Sequence, residues 1–180
     1  MKHLSRLLVL LLACVLSFGC EGSSPKGAAP PSSDPVHIRN VIVMIGDGMG
    51  PQQLGLLVTY AHHAPRSVYE PMGRKTALER VMESGTLGYV RTEPAHALVT
   101  DSGASSTQIA SGEWAGAQMI GIDQNGNVVK TILEIAEEMG KSTGLVTDAG
   151  ITHATPAGFA AHETHRSKQD RIGNLWLRCV

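Results

Sequence analysis

Short uninterrupted apolar runs alternate along the chain with longer stretches in which apolar residues recur every three or four positions. Val41-Ile42-Val43-Met44-Ile45 is of the first kind and reads as a strand, as do the less continuous stretches Thr86 to Thr92 and Thr143 to Thr147. The first of them is apolar at every position, as in a strand buried on both faces. Helices are predicted between them. One opens at Pro51 and carries Leu54, Leu57 and Val58; another runs from Thr76 to Glu83 on Ala77, Leu78, Val81 and Met82, closed by Gly85. A third follows Ser102 to about Ser111, with Ile109 and Ala110 inward and Gly112 as its stop. Thr131 and Glu134 have capping-box spacing and open a fourth, ending at Gly140. Thr155-Pro156 signals a fifth, with Thr155 at the cap. Asn125-Gly126 between Met119-Ile122 and Asn127-Val129 predicts a hairpin. Ala61 to Arg74, with Pro65 and Pro71, reads as a surface loop on which His62 and His63 are solvated. A helix between two strand-like runs implies an α/β fold, a largely parallel sheet with flanking helices.

The amino terminus follows a different pattern. Lys2 and Arg6 precede an apolar segment from Leu7 to Leu16, too short to span a bilayer and laid out as an export signal over residues 1–19. Leu16-Ser17-Phe18-Gly19-Cys20 resembles a lipoprotein cleavage site; Leu11-Leu12-Ala13-Cys14 is an earlier match, and plain secretion with an unmodified cysteine is the other reading. Cleavage before Cys20 leaves residues 20–35, rich in Gly, Ser, Pro and Ala, as a flexible tether before a folded region over 36–180. The expected location is outside the cytoplasm, periplasmic or at the cell surface, with membrane attachment through lipid at Cys20.

Charge and cysteines narrow the partners. With 15 basic and 16 acidic residues the formal charge is −1, so nothing in the charge balance argues for a nucleic-acid surface. Cys14 and Cys20 both sit near the amino-terminal apolar run, which leaves Cys179 without an evident partner for a disulfide framework.

The candidate chemistry sits at the ends of predicted elements. Gly46-Asp47-Gly48-Met49-Gly50 is a sharp turn bearing one carboxylate at the carboxyl end of a strand, where open α/β sheets place ligands. It lacks the Lys-Ser or Lys-Thr of a nucleotide loop. Ser102 stands between Asp101 and a run of small residues at a helix start, where free N–H groups and the helix dipole favour an anion such as phosphate. Taken alone, Asp-Ser-Gly-Ala reads first as an ordinary helix cap. No Gly-x-Ser-x-Gly elbow is present, so activation of the serine falls to a metal ion. Asp47 and Thr155 offer oxygens suited to a hard ion, and Arg166 can fork onto two phosphate oxygens.

Three stretches in this order, Asn40 to Gly50, Thr100 to Ser106 and Thr152 to Ala157, resemble the alkaline phosphatase family, and the likeness runs from about Asn40 to Arg166. The resemblance implies a three-layer α/β sandwich and hydrolysis of small phosphate monoesters through a phosphoserine. It implies Ser102 as the phosphorylated residue and a zinc ligand, Asp47 on one Zn²⁺ and the Mg²⁺, and Thr155 on Mg²⁺. Arg166 would grip phosphate, with Asp101 orienting it; at His153 the family varies between an acid and a histidine. Gly103 stands where many members have alanine, a change expected to cost little. Two Zn²⁺ and one Mg²⁺ are the implied cofactors, and a homodimer is compatible with the family. Members take most zinc ligands from a carboxy-terminal half not found here, so the chain resembles the amino-terminal part of such an enzyme. The alternative is a non-enzymatic, lipid-anchored remnant with an incomplete phosphate pocket.

Overall fold

The computed structural model describes residues 38–64 and 75–176. The proposed export signal, Cys20 and the tether lie outside the described residues, as does Cys179. The chain divides into two units, Met1–Val43 and Met44–Val180. Of the first, residues 38–43 are described, and they are exposed.

The second unit is built from helices whose boundaries are set by local capping. Helix α1 (Pro51–His63) starts on Gly50, whose N–H donates to Gln53 Oε1 at 3.0 Å, and Pro51 occupies a first-turn position where no N–H is needed. It continues through the first residues of the predicted loop, because Ala61 is buried and His62 finds a partner. That partner is Glu79 on α2 (Ala77–Ser84), whose carboxylate lies 3.0 and 2.9 Å from His62 Nε2, so His62 is paired rather than merely solvated. Glu79 also accepts from Thr76 N at 2.7 Å and completes the capping box. The Thr76 backbone N–H, then His62, hold its carboxyl at about 2, below the ordinary 4.5. Val81, predicted on the inner face of α2, is exposed.

Helix α3 (Ser102–Ser111) has the predicted bounds, capped by Asp101 and ended by Gly112 in the left-handed region. Its buried face consists of Gly103, Ala104, Ser106, Thr107 and Ala110, whereas Ile109 is 40 % exposed and does not point inward as expected. Small residues are selected on this face because α5 (Ala154–Ala160) packs directly against it. A Cβ on Gly158 would lie 2.1 Å from Ser106 Oγ and 3.0 Å from Thr107 N, so only glycine admits this approach. Ser106 Oγ then donates to Ala154 O at 2.9 Å, satisfying a buried hydroxyl across the contact. Helix α5 begins one residue before the expected cap, with His153 at that position and Thr155 inside the first turn.

Helix α4 (Ile132–Glu138) opens on the predicted Thr131–Glu134 box, and α6 (Gln169–Trp176) covers the remaining side of a core made by Ile120, Ala154, Ala157, Ala161 and Ile172. The Asn125-Gly126 hairpin forms, with Asp123 N donating to Asn127 O at 2.8 Å and an Ile122–Val128 bridge. Backbone pairing among the described residues is otherwise limited to isolated bridges, Ala95 with Gly116 and Ile120 with Glu163. The segments 41–45, 86–92 and 143–147 carry no sheet ladder, and their apolar side chains face solvent: Ile42 is 84 %, Tyr89 100 % and Val146 102 % exposed.

Candidate active site

The turn after Ile45 brings the Asp47 carboxylate to the starts of two helices. Met49 N donates to Gly46 O at 3.0 Å, and Gly48 takes φ +70°, a conformation that disfavours a side chain. Ser102, first residue of α3, donates from Oγ to Asp47 at 2.9 Å from Oδ1 and 3.1 Å from Oδ2. Thr155, in the first turn of α5, donates from Oγ1 to Oδ2 at 2.8 Å. The tight α3–α5 contact at Gly158 is what lets one carboxylate collect both hydroxyls.

Asp101 performs two tasks. Its Oδ1 accepts from Gly103 N at 2.7 Å and caps α3, while Oδ2 accepts from Gln118 N at 2.7 Å. Arg166 Nη1 lies 3.6 Å from Asp101 Oδ1. This is an ion pair too long for a hydrogen bond, so the guanidinium keeps donors free for an anion. Arg166 N donates to Gln118 O at 2.8 Å, which pins the main chain of its turn. His153 caps α5 beside Thr155, but its exposed ring lies against Gly150 and makes no hydrogen bond to the Asp47 group.

The donor chemistry answers which metals these residues suit. A carboxylate and two hydroxyls converging within 3.1 Å form an oxygen set of the kind a hard ion such as Mg²⁺ takes. Zinc favours nitrogen and sulfur, with three protein ligands at a catalytic centre. Among the described residues no three His, Cys, Asp or Glu side chains come together to hold an ion. The residues present fit Mg²⁺ in part and do not assemble a zinc site.

Two residues that bear on the site carry no signal in the sequence. Gln118 is recognisable only from its backbone, which takes a positive φ. Glu163 is buried and accepts from Lys168 Nζ at 2.9 Å and from Thr164 N and Oγ1 at 2.7 and 2.9 Å, and Arg171 Nε forms an ion pair with it at 2.8 Å. Its backbone exchanges hydrogen bonds with Ile120 at 2.8 and 2.9 Å, so the turn bearing Arg166 starts from a fixed point. The Lys168 ammonium, acting against the penalty of burial and aided by Thr164 and Arg171, holds the Glu163 carboxyl at about 2 instead of 4.5. A lowered carboxyl stabilises the fold above its unfolded value, and that contribution is lost as pH falls toward the folded one. The stability gap between wild type and Glu163→Gln should therefore be full at pH 7 and shrink between pH 4.5 and 2. Thermal melts across that range check it; a gap independent of pH would remove the ion cluster from the account.

Gly103 proves tighter than expected. A Cβ there would lie 2.8 Å from Asp101 Oδ1, 3.0 Å from Met119 O and 3.2 Å from Gln118 C. Alanine at this position would push the 118–119 turn away from the helix start, so the change is not cheap in this chain.

Comparison with known proteins matches this arrangement to one family. The alkaline phosphatase profile covers residues 38–174. Alkaline phosphatase 4 of Bacillus subtilis (strain 168) is 35 % identical over 171 residues, covering 94 % of this chain and 36 % of the relative. The crystal structure of the cold-active alkaline phosphatase of a psychrophilic Shewanella superposes with a TM-score of 0.64 at 33 % identity, over 74 % of this chain and 32 % of that one. A TAB5 alkaline phosphatase mutant with Mg bound matches with a TM-score of 0.50 at 30 % identity, over 56 % of this chain and 32 % of that one. The chain thus spans about a third of the length of these relatives and shares their fold over the matched region. With its motifs, its profile match and its superposition in agreement, the chain belongs to the alkaline phosphatase family.

Proposed function

We propose that these residues hydrolyse phosphate monoesters through a phosphoserine at Ser102, within a family domain of full length. The observation that carries the reading is the Asp47 carboxylate collecting the hydroxyls of Ser102 and Thr155, residues 55 and 108 positions away along the chain. Asp47 fixes the Ser102 hydroxyl by accepting its proton in a hydrogen bond, which orients the oxygen at the amino end of α3. Ser102 Oγ gives its proton to solvent as it forms the new bond to phosphorus. The bond to the leaving group breaks and that oxygen takes a proton from water to leave as alcohol, and a further water later cleaves the phosphoserine to release phosphate. The α3 dipole and Arg166 hold the phosphate oxygens, and Asp101 steers the guanidinium. Asp47 and Thr155 would hold Mg²⁺, which when bound supplies positive charge beside the phosphate. Two Zn²⁺ remain the family expectation, with Asp47 and Ser102 as the ligands offered here and no step assigned to zinc. His153 stays a candidate for the magnesium surroundings.

The same proposal extends to the rest of the chain. Segments 41–45, 86–92 and 143–147 become strands of a parallel sheet in the full-length domain, which buries the apolar side chains exposed here. Export to the periplasm or cell surface, with lipid on Cys20, places the enzyme where phosphate monoesters arrive from outside.

Trapping with substrate at low pH tests the nucleophile. Intact-mass and peptide analysis should find one added phosphate on Ser102; phosphate on a different side chain would overturn the assignment. Arg166→Lys should weaken binding of inorganic phosphate by roughly 1.5–3 kcal/mol, because a lysine point charge cannot reproduce the fork. Titration calorimetry measures the difference, and equal affinities would deny Arg166 its role.

A further inference from the structure

We propose that Gln118 is a positioning residue whose backbone, held in the left-handed region, ties the Asp101 carboxylate to the turn bearing Arg166. The inference rests on the reading of Arg166 as the phosphate grip. Gln118 has φ 66°, one of two non-glycine residues with positive φ among those described. It is the second central residue of a turn in which Met119 N donates to Gly116 O at 3.2 Å. Its N–H donates to Asp101 Oδ2 at 2.7 Å and its carbonyl accepts from Arg166 N at 2.8 Å. These two groups belong to successive peptide planes, whose relative orientation is set by φ and ψ at Gln118 alone. Turning φ to the ordinary negative region swings one plane against the other, so one of the two bonds is lost when the other is kept.

Three further observations point the same way. The Gln118 side chain makes no hydrogen bond among the described residues, so the backbone carries the role. Gly103, with its missing Cβ 3.2 Å from Gln118 C, lets the turn lie directly on the first residues of α3. Arg166 has no shorter contact to Asp101 than 3.6 Å, so its placement depends on the main-chain bond as well as on the charge. Asp101 is thereby held at both oxygens, by its own helix and by Gln118, and Arg166 is held at both its main chain and its side chain.

Substitutions that separate backbone from side chain test this on the full chain. Glycine adopts positive φ freely, alanine with a penalty, and a β-branched residue worst of all. Gln118→Gly should bind inorganic phosphate within twofold of wild type, with the Gln118 and Arg166 amides as protected from hydrogen exchange as before. Gln118→Val should raise the phosphate Kd at least tenfold and speed Arg166 amide exchange at least tenfold, while the buried Ile172 amide reports that the fold is intact. Should Val lose that protection too, Gln118→Ala carries the test, with binding ordered glycine above alanine. Valine or alanine binding phosphate as tightly as glycine, or an Arg166 amide that exchanges equally in all variants, would overturn the proposal. If wild type itself binds no phosphate, the functional reading falls, and the exchange order alone decides whether the tie exists.

Discussion

Gly158→Ala should lower the stability of the chain by about 2 kcal/mol, a drop of roughly 4–8 °C in melting temperature for a chain of this size. Two effects compete at this position. Alanine is a better helix former than glycine by up to about 1 kcal/mol, which by itself would stabilise α5. Against that, the new Cβ would meet Ser106 Oγ at 2.1 Å, Ser106 Cβ at 2.8 Å and Thr107 N at 3.0 Å. The hydroxyl could rotate only by giving up its bond to Ala154 O, and the other two atoms belong to a buried helix that has nowhere to retreat. Overpacking of this kind costs about 1–3 kcal/mol and occasionally more, so the clash wins. Gly55, inside α1 with nothing within 4 Å of an added methyl, isolates the first effect, and Gly55→Ala should raise stability by up to about 1 kcal/mol. Denaturant melts of both variants check the pair. A melting point for Gly158→Ala at or above wild type would mean that α3 and α5 do not pack this closely. The site would then loosen as well, since the same contact brings Ser102 and Thr155 to one carboxylate.

What was legible beforehand divides along the distance over which each feature is encoded. The starts of α2, α3 and α4 were readable because a cap and its partner lie within three residues: Thr76 with Glu79, Asp101 with Gly103, Thr131 with Glu134. The inner face of α3 was misjudged at Ile109, because amphipathic spacing favours the larger apolar residue and cannot see a neighbouring helix arriving through Gly158. The cap expected at Thr155 lies two residues earlier for a related reason. Thr-Pro is a good cap signal, yet His153 takes that position and frees the Thr155 hydroxyl for Asp47. The gathering of Asp47, Ser102 and Thr155 spans up to 108 positions and has no local signature; it was anticipated through family resemblance. Gln118 had no signature of any kind, because positive φ at a glutamine is imposed by what surrounds the turn. The three apolar runs were legible as strand candidates but pair with nothing among the described residues.

Residues 1–180 purified by themselves should show no serine-dependent phosphatase turnover, even with Zn²⁺ and Mg²⁺ supplied. Phosphoryl transfer between two metal ions needs one charge beside the attacking oxygen and another beside the leaving oxygen, each worth several kcal/mol. Asp47, Ser102 and Thr155 gather three oxygens at one place, enough to begin a single hard-ion shell. No second cluster of three ligating side chains exists among the described residues, and imidazoles are not brought to the first. Losing one such stabilising charge amounts to at least a hundredfold in rate, at 1.36 kcal/mol for each factor of ten. The aligned region is about a third of each matched relative, so most of their length lies outside the part compared here. Solution behaviour gives a second readout, because apolar side chains such as Met44, Tyr89, Leu98 and Val146 stand open to water. Exposed runs of this kind associate, so the purified stretch should self-associate increasingly as its concentration is raised above that used for melts and exchange. The assay is hydrolysis of a chromogenic phosphomonoester, read beside Ser102→Ala. Metal-stimulated turnover that vanishes in that variant would show that Asp47, Ser102, Thr155 and Arg166 suffice, and the claim that further ligands are required would be withdrawn.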